Sequence, residues 1–283
     1  MTTRLHYGWV LLGVATLAVV SAMGVARQGY GIILPAMQTG LGLNNTQAGL
    51  LATANLTTYL VLALVGGALA SHLGPRVVIT SGLFLVAVGL LATGHAQSFA
   101  AAALWRAVTG VGTGATNVPV MGLLSAWFAP SRRGLGTGIA VTGSSIGLIL
   151  VGPTVPLVLA AYPGVGWRLC WYGFGAFAFV VAVLAVLLLR NSPGPMGLCP
   201  IGDTAAADPP PATSPAAAPP GPTWRTVYAS GAVWHLGFVY IAYGFSYIIY
   251  VTFFVKGLMA EGGYTQVGAG RLFMVMGWSS LLC

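Results

Sequence analysis

The sequence predicts an all-α membrane protein, and three observations carry that prediction. Of its 283 residues, 57% are hydrophobic and only 5% are charged, whereas a soluble domain carries about 25% charged residues. Mean hydropathy is +0.88. Long apolar runs follow one another with short polar gaps and without period-two alternation, so helices rather than barrel strands satisfy the backbone in lipid.

A spanning helix needs about 20 mostly apolar residues, because the hydrocarbon is about 30 Å thick and a helix rises about 1.5 Å per residue. Eight segments can be marked: Tyr7–Met37, Thr46–Ala70, Val77–Thr93, Phe99–Trp127, Gly136–Ala161, Trp167–Leu189, Val227–Val255 and Val267–Cys283. The first is preceded by Arg4, and Ser21-Ala22-Met23 has the look of a signal-peptide cleavage site. Apolar sequence continues to Met37 past an exit at Pro35, and further spans follow, so the segment reads as a retained helix. Between the sixth and seventh segments, residues 191–226 change character: Pro209-Pro210-Pro211, Pro215, Pro219-Pro220 and Pro222 stand among alanines. Such a stretch neither forms a helix nor has apolar residues to pack, and it reads as an extended linker. The eighth segment breaks off at Cys283 without a polar flank, as in a product cut short within its eighth helix. The expected organisation is a six-helix bundle over residues 1–190, a Pro/Ala-rich linker over 191–226, and the first two helices of a second bundle over 227–283.

Net charge is +8, from 11 Lys and Arg against 3 Asp and Glu. The basic residues are scattered singly, without the clustered Lys/Arg and interleaved aromatics of a nucleic-acid surface. They sort instead by loop. With the N-terminus inside, Arg4, Arg76, Arg132, Arg133, Arg190 and Arg225 fall on the cytoplasmic side, and Arg168 and Lys256 on the other. That asymmetry predicts a multi-pass inner (plasma) membrane protein with a cytoplasmic N-terminus. Cys170, Cys199 and Cys283 lie far apart, so neither a metal site nor a disulfide framework is expected. No nucleophile–base pair or phosphate loop is present, and Gly112-Thr113-Gly114 lies inside an apolar helix, so neither an enzyme nor a cofactor is expected.

A weak internal repeat crosses the linker. Tyr30-Gly31 followed by Thr46-Gln47-Ala48-Gly49 parallels Tyr243-Gly244 followed by Thr265-Gln266-Val267-Gly268, as in transporters built from parallel halves.

The loop between the second and third segments reads Gly67-Ala68-Leu69-Ala70-Ser71-His72-Leu73-Gly74-Pro75-Arg76. It resembles the signature loop of the major facilitator superfamily, G-x-L-A-D-R-x-G-x-R. Ser71 and His72 replace the acid and the arginine, so Gly67, Gly74 and Arg76 carry the gating role that the resemblance implies. Arg106-Ala107-Val108-Thr109-Gly110-Val111-Gly112 is similar to the family's R-x-x-x-G-x-G segment. Gly143, Gly147 and Gly152-Pro153 resemble its fifth-helix Gly-Pro motif, and small residues there let helices 2 and 5 and their neighbours approach closely. Tyr7-Gly8-Trp9-Val10, Leu34-Pro35-Ala36-Met37 and Pro195-Met196-Gly197-Leu198-Cys199-Pro200 look like the monocarboxylate and oxalate–formate branch. The resemblance implies an alternating-access carrier of a small organic anion. A drug or sugar exporter of the same superfamily, and a membrane sensor or non-transporting remnant, are the competing readings.

Arg27, within the first helix about 28 Å along from Gly8, reads either as an anion ligand or as a side chain reaching the outer headgroups. Arg106, Thr109, Thr113 and Asn117 recur at spacings of three and four, forming one polar stripe that lines a path or bonds between helices. Asn55 and Tyr59 share a face of the second helix, and Tyr240, Tyr243, Tyr247 and Tyr250 a face of the seventh. Tyr243 and Tyr247 are expected at the cavity. Arg271, near the start of the eighth helix, is read as a cavity ligand or an end-of-helix anchor. His6, His72, His95 and His235 are read as structural. No acid lies in any expected span. Two arginines without buried acids make a positive cavity, and a coupling proton or a counter-anion would offset the charge carried.

Overall fold

A computed structural model describes residues 6–202 and 229–281. The described residues fold into eight long helices: α1 (Tyr7–Leu41), α2 (Asn45–Leu73), α3 (Pro75–His95), α4 (Phe99–Trp127), α5 (Arg133–Ala161), α6 (Gly166–Leu188), α7 (Gly231–Ala260) and α8 (Gln266–Leu281). Six of them, α1, α2, α3, α5, α6 and α7, are long and apolar enough to cross a membrane by length and composition. α4 spans 29 residues but carries glycines, threonines, Asn117 and Arg106 in place of lipid-facing side chains, and it is buried along much of its length. Its polarity is therefore spent inside the bundle. α8 has 16 described residues.

Local sequence sets the helix ends. Asn44 caps α2 in a reciprocal pair with Gln47: Asn44 Oδ1 accepts from Gln47 N at 2.8 Å, and Gln47 Oε1 from Asn44 N at 3.1 Å. Ser98 accepts from Ala101 N to start α4. α1 closes at Gly42, whose φ of 63° is left-handed. The expected exit at Pro35 is therefore corrected: Pro35 lies inside α1, which continues to Leu41. A proline is tolerated there because packing against α7 holds the helix on both sides of the missing N–H.

α1 is the central element. Its middle, Val20–Gln28, is π-helical and touches α3, α4, α5 and α6, while its C-terminal half meets α7. α2 lies along α4, α3 packs between α4 and α6, and α8 runs along α5. The small residues expected where helices 2 and 5 and their neighbours approach closely pack as follows. Gly143 and Gly147 of α5 face α1, where a Cβ at Gly147 would sit 2.2 Å from Gly24 Cα. Gly152 faces Gly270 and Met274 of α8, one position before the helix-interior Pro153 and four before Pro156. α2 instead packs on Gly110 and Gly114 of α4. Gly67 makes only ordinary contact with Val118.

One end of the bundle is tied by the α2–α3 loop and by residues 191–202. Arg76 Nη2 donates to Val186 O at 2.6 Å, and Arg76 N to Asn191 Oδ1 at 2.9 Å. Gly74, with φ of 85°, sits against the Asn191 side chain. Residues 191–202 lie against the bundle: Ile201 N donates to Trp127 O, Ala129 N to Ile201 O, and His6 Nε2 pairs with Cys199 O. The rest of the expected linker, the start of the seventh segment at Val227, Arg4, Arg225 and Cys283 lie outside the described residues.

Candidate functional site

A cavity of about 230 Å³ opens where α1, α2, α4, α5 and α7 converge. Its polar lining is Arg27, Gln28, Tyr30, Asn55, Arg106, Ser144, Tyr243, Tyr247 and Thr252. The π-helical segment of α1 supplies Arg27 and Gln28 side by side. Widened turns of this kind recur at functional sites because they re-aim side chains and loosen the backbone ladder.

The two arginines are held differently. Arg106 is 1% exposed; its Nη1 donates to Ala26 O at 2.9 Å, and its Cζ lies 4.7 Å from the Tyr30 ring centre and 5.4 Å from that of Trp171. Asn55 Nδ2 donates to Arg106 O at 3.0 Å, fixing the α2–α4 register at the cavity wall. Arg27 is only half-buried, and its Cζ stands 5.3 Å from the Tyr59 ring centre. Among the described residues no carboxylate lies in the body of any of the eight helices; Glu261 sits at the C-terminal cap of α7. The cavity therefore presents two cations with no acid to neutralise them. No group of three or more metal-ligating side chains occurs among the described residues.

Of the residues predicted from sequence, Arg27, Asn55, Arg106, Tyr243 and Tyr247 meet at this cavity, with Tyr59 behind Arg27. Tyr243 and Tyr247 stack at 5.7 Å at the cavity mouth, with Tyr243 itself exposed, while Tyr240 is exposed outside the lining and Tyr250 packs on Phe254. The helix-4 stripe does not face one way. Thr109 Oγ1 is bonded to Trp105 O and presses on Gly89 of α3, and Thr113 Oγ1 is bonded to Gly110 O. Asn117 Nδ2 donates to Tyr59 Oη at 3.2 Å, outside the cavity wall. The residues differ because α4 is surrounded by neighbours, so a spacing of three and four selects a sector and not a single partner. Arg271 is exposed and away from the cavity.

No signal in the sequence marks Gln28, Tyr30, Ser144 and Thr252 as lining, nor Trp171 behind Arg106. The polar cluster closing the α1–α7 side is likewise unmarked. Lys256 Nζ donates to Gln38 Oε1 at 2.6 Å and to Asn45 Oδ1, while Gln38 Nε2 donates to Asn45 Oδ1 at 3.2 Å. Below this cluster Gly31 lies directly against Val251 O, so α1 and α7 touch without an intervening side chain.

This fold and site define a polytopic helical membrane protein whose buried polar groups converge on one internal cavity. The chain belongs to the Major Facilitator Superfamily, whose model matches residues 14–283. It is 25% identical over 264 residues to a probable sulfoacetate transporter of Cupriavidus necator, covering 93% of this chain and 60% of the relative. It is 29% identical over 178 residues to a membrane sensor protein of Salmonella typhimurium, covering 62% of this chain and 39% of the sensor. The chain thus spans about three-fifths of the length of the first of these curated relatives. In fold it is similar to a bacterial homologue of the lysosomal transporter Spinster in an inward-facing, unoccupied conformation, with a TM-score of 0.75 at 17% identity, covering 97% of this chain and 60% of that one. A D-xylose–proton symporter matches with a TM-score of 0.67 at 13% identity, covering 98% and 67%.

Proposed function

We propose that this protein moves a small organic anion across the inner (plasma) membrane by alternating access, binding it in the cavity between Arg27 and Arg106. The observation that carries this is the pairing of two arginines at one cavity with no carboxylate in the surrounding helices. An uncompensated buried cation is costly, and an anionic substrate supplies the missing charge with strong, directional hydrogen bonds. Arg27 offers the mobile fork. Arg106 contributes a fixed charge, and Asn55, Ser144 and Thr252 give neutral polar contacts. The anion is a carboxylate or sulfonate; the similarity to the Cupriavidus relative, named a probable sulfoacetate transporter, supports the class. A coupling proton or a counter-anion balances the charge moved. The ends carrying Arg76, Arg132, Arg133 and Arg190 face the cytoplasm, which follows the positive-inside bias.

Binding and uptake are measured on the chain in lipid vesicles, with sulfoacetate, acetate and the neutral solutes acetamide and D-xylose. Charge-assisted bonds are worth about 1.5–3 kcal/mol each, so Arg27→Ala and Arg106→Ala weaken anion binding about 10- to 150-fold. Arg271→Ala leaves it unchanged. Equal affinity for acetate and acetamide, or anion affinity untouched by both cavity substitutions, overturns the proposal. The similarity to a membrane sensor favours one second reading: anion binding without any uptake assigns the chain to sensing.

A further inference from the structure

We infer that Trp171, together with Tyr30, is a positioning residue: the two rings clasp the Arg106 guanidinium in place of an acidic counter-ion and fix the charge an anion meets in the cavity. The inference rests on the anion-binding reading above.

A guanidinium 1% exposed inside a membrane bundle needs compensation. Its neighbours include no acid among the described residues; what surrounds it is one carbonyl, Ala26 O, and two aromatic faces. The electron-rich face of an aromatic ring attracts a cation, and a desolvated pair is the strongest case. Neither ring is free to turn. Tyr30 Oη donates to Ala48 O at 2.7 Å, and Trp171 meets Phe174 edge-on, with interplanar angle 90°. Tyr30 and Trp171 also stack on each other at 6.5 Å.

The indole is informative in a second way. Trp171 is fully buried and its Nε1 has no hydrogen-bond partner among the described residues. A phenylalanine would fill most of this space and leave no polar atom stranded, so hydrogen bonding does not account for an indole here. Its gain lies in its face, since indole binds cations more strongly than benzene. Arg106 is thereby tied at three points, two rings and the Ala26 carbonyl, with the Ala26 bond reaching into the π-helical turn that presents Arg27. Releasing Arg106 disturbs both cavity charges at once.

The test is arginine reactivity in the full chain in vesicles. Phenylglyoxal modification of Arg106 is followed by peptide mass spectrometry, with half-exposed Arg27 as the internal reference. In the parent chain Arg27 reacts and Arg106 is protected. Trp171→Leu raises the Arg106 rate about 10-fold or more, Trp171→Phe raises it less, and Phe273→Leu, which removes a fully buried ring packed on Phe254 and away from Arg106, leaves it protected. Continued protection in Trp171→Leu overturns the clasp, and so does equal release in Phe273→Leu, which would mean packing alone. Should Trp171→Leu fail to fold, Trp171→Phe decides: an Arg106 rate identical to the parent overturns the proposal. Sulfoacetate binding on the same variants separates the two readings. A loss of affinity of up to about 30-fold with released Arg106 supports both. Released Arg106 with affinity unchanged overturns the anion site while the clasp stands.

Discussion

Replacing Gly147 by alanine tests the packing on which the cavity depends. An added Cβ would stand 2.2 Å from Gly24 Cα and 2.6 Å from Gly24 C, both backbone atoms that no rotamer change can move. Ordinary contact begins at 3.4 Å, so α1 and α5 must part by about 1.2 Å, the difference between the two distances. A gap of about 0.5–1 Å already forfeits a quarter to a half of the dispersion attraction across an interface, and overpacking of this kind costs about 1–3 kcal/mol. The alanine recovers about 0.5–1 kcal/mol of helix propensity. The net loss runs up to about 2.5 kcal/mol and centres near about 1.3 kcal/mol, or a fall of about 3–5 °C in unfolding temperature at the centre for a chain of this size. Gly173→Ala is the control: nothing lies within 4 Å of a Cβ there, so the same propensity gain leaves stability level or slightly raised. Thermal unfolding followed by tryptophan fluorescence in detergent measures both. A Gly147→Ala midpoint equal to or above that of Gly173→Ala would refute the contact between the two backbones.

Gly74→Ala places a side chain at φ of 85° and ψ of 142° and drives its Cβ to 2.8 Å from Asn191 Nδ2; a loss of about 1–3 kcal/mol is expected from the backbone alone, and Gly74→Ala/Asn191→Ala recovers only the steric part of the thermal shift. Lys256→Met removes the donor shared by Gln38 and Asn45, so a cysteine placed at buried Leu43 beside the cluster, with the native cysteines replaced, reacts several-fold faster with a membrane-impermeant thiol reagent than in the Lys256 parent; an unchanged rate shows that the cluster does not hold α1, α2 and α7 together.

The fold was largely legible because each helix announces itself locally. Continuous apolar runs, the Asn44–Gln47 cap and Gly74-Pro75 before α3 are all short-range signals. Pro35 misled because the rule that proline ends a helix describes an isolated segment, and α7 stabilises the continuation. At the cavity, intramembrane arginines were conspicuous against lipid-like sequence, so Arg27 and Arg106 were found. Tyr30 and Trp171 were not, since an aromatic residue in an apolar run looks the same whether it packs on leucine or on a guanidinium. The Lys256 cluster joins positions 38, 45 and 256, a relation that only the folded chain creates. Thr109 and Thr113 share a periodicity with Arg106 but spend their hydroxyls on α4's own carbonyls, which periodicity cannot reveal.

Where α5 crosses α8, Gly152 and Gly270 set main chain against main chain, each with its hypothetical Cβ under 3 Å from the other's carbonyl oxygen. Met274 of α8 rests on Gly152 and Pro156 of α5 rests on Gly270, so the junction between the first six helices and the eighth is a backbone seat keyed by one side chain from each rod, and sliding it requires both keys to move.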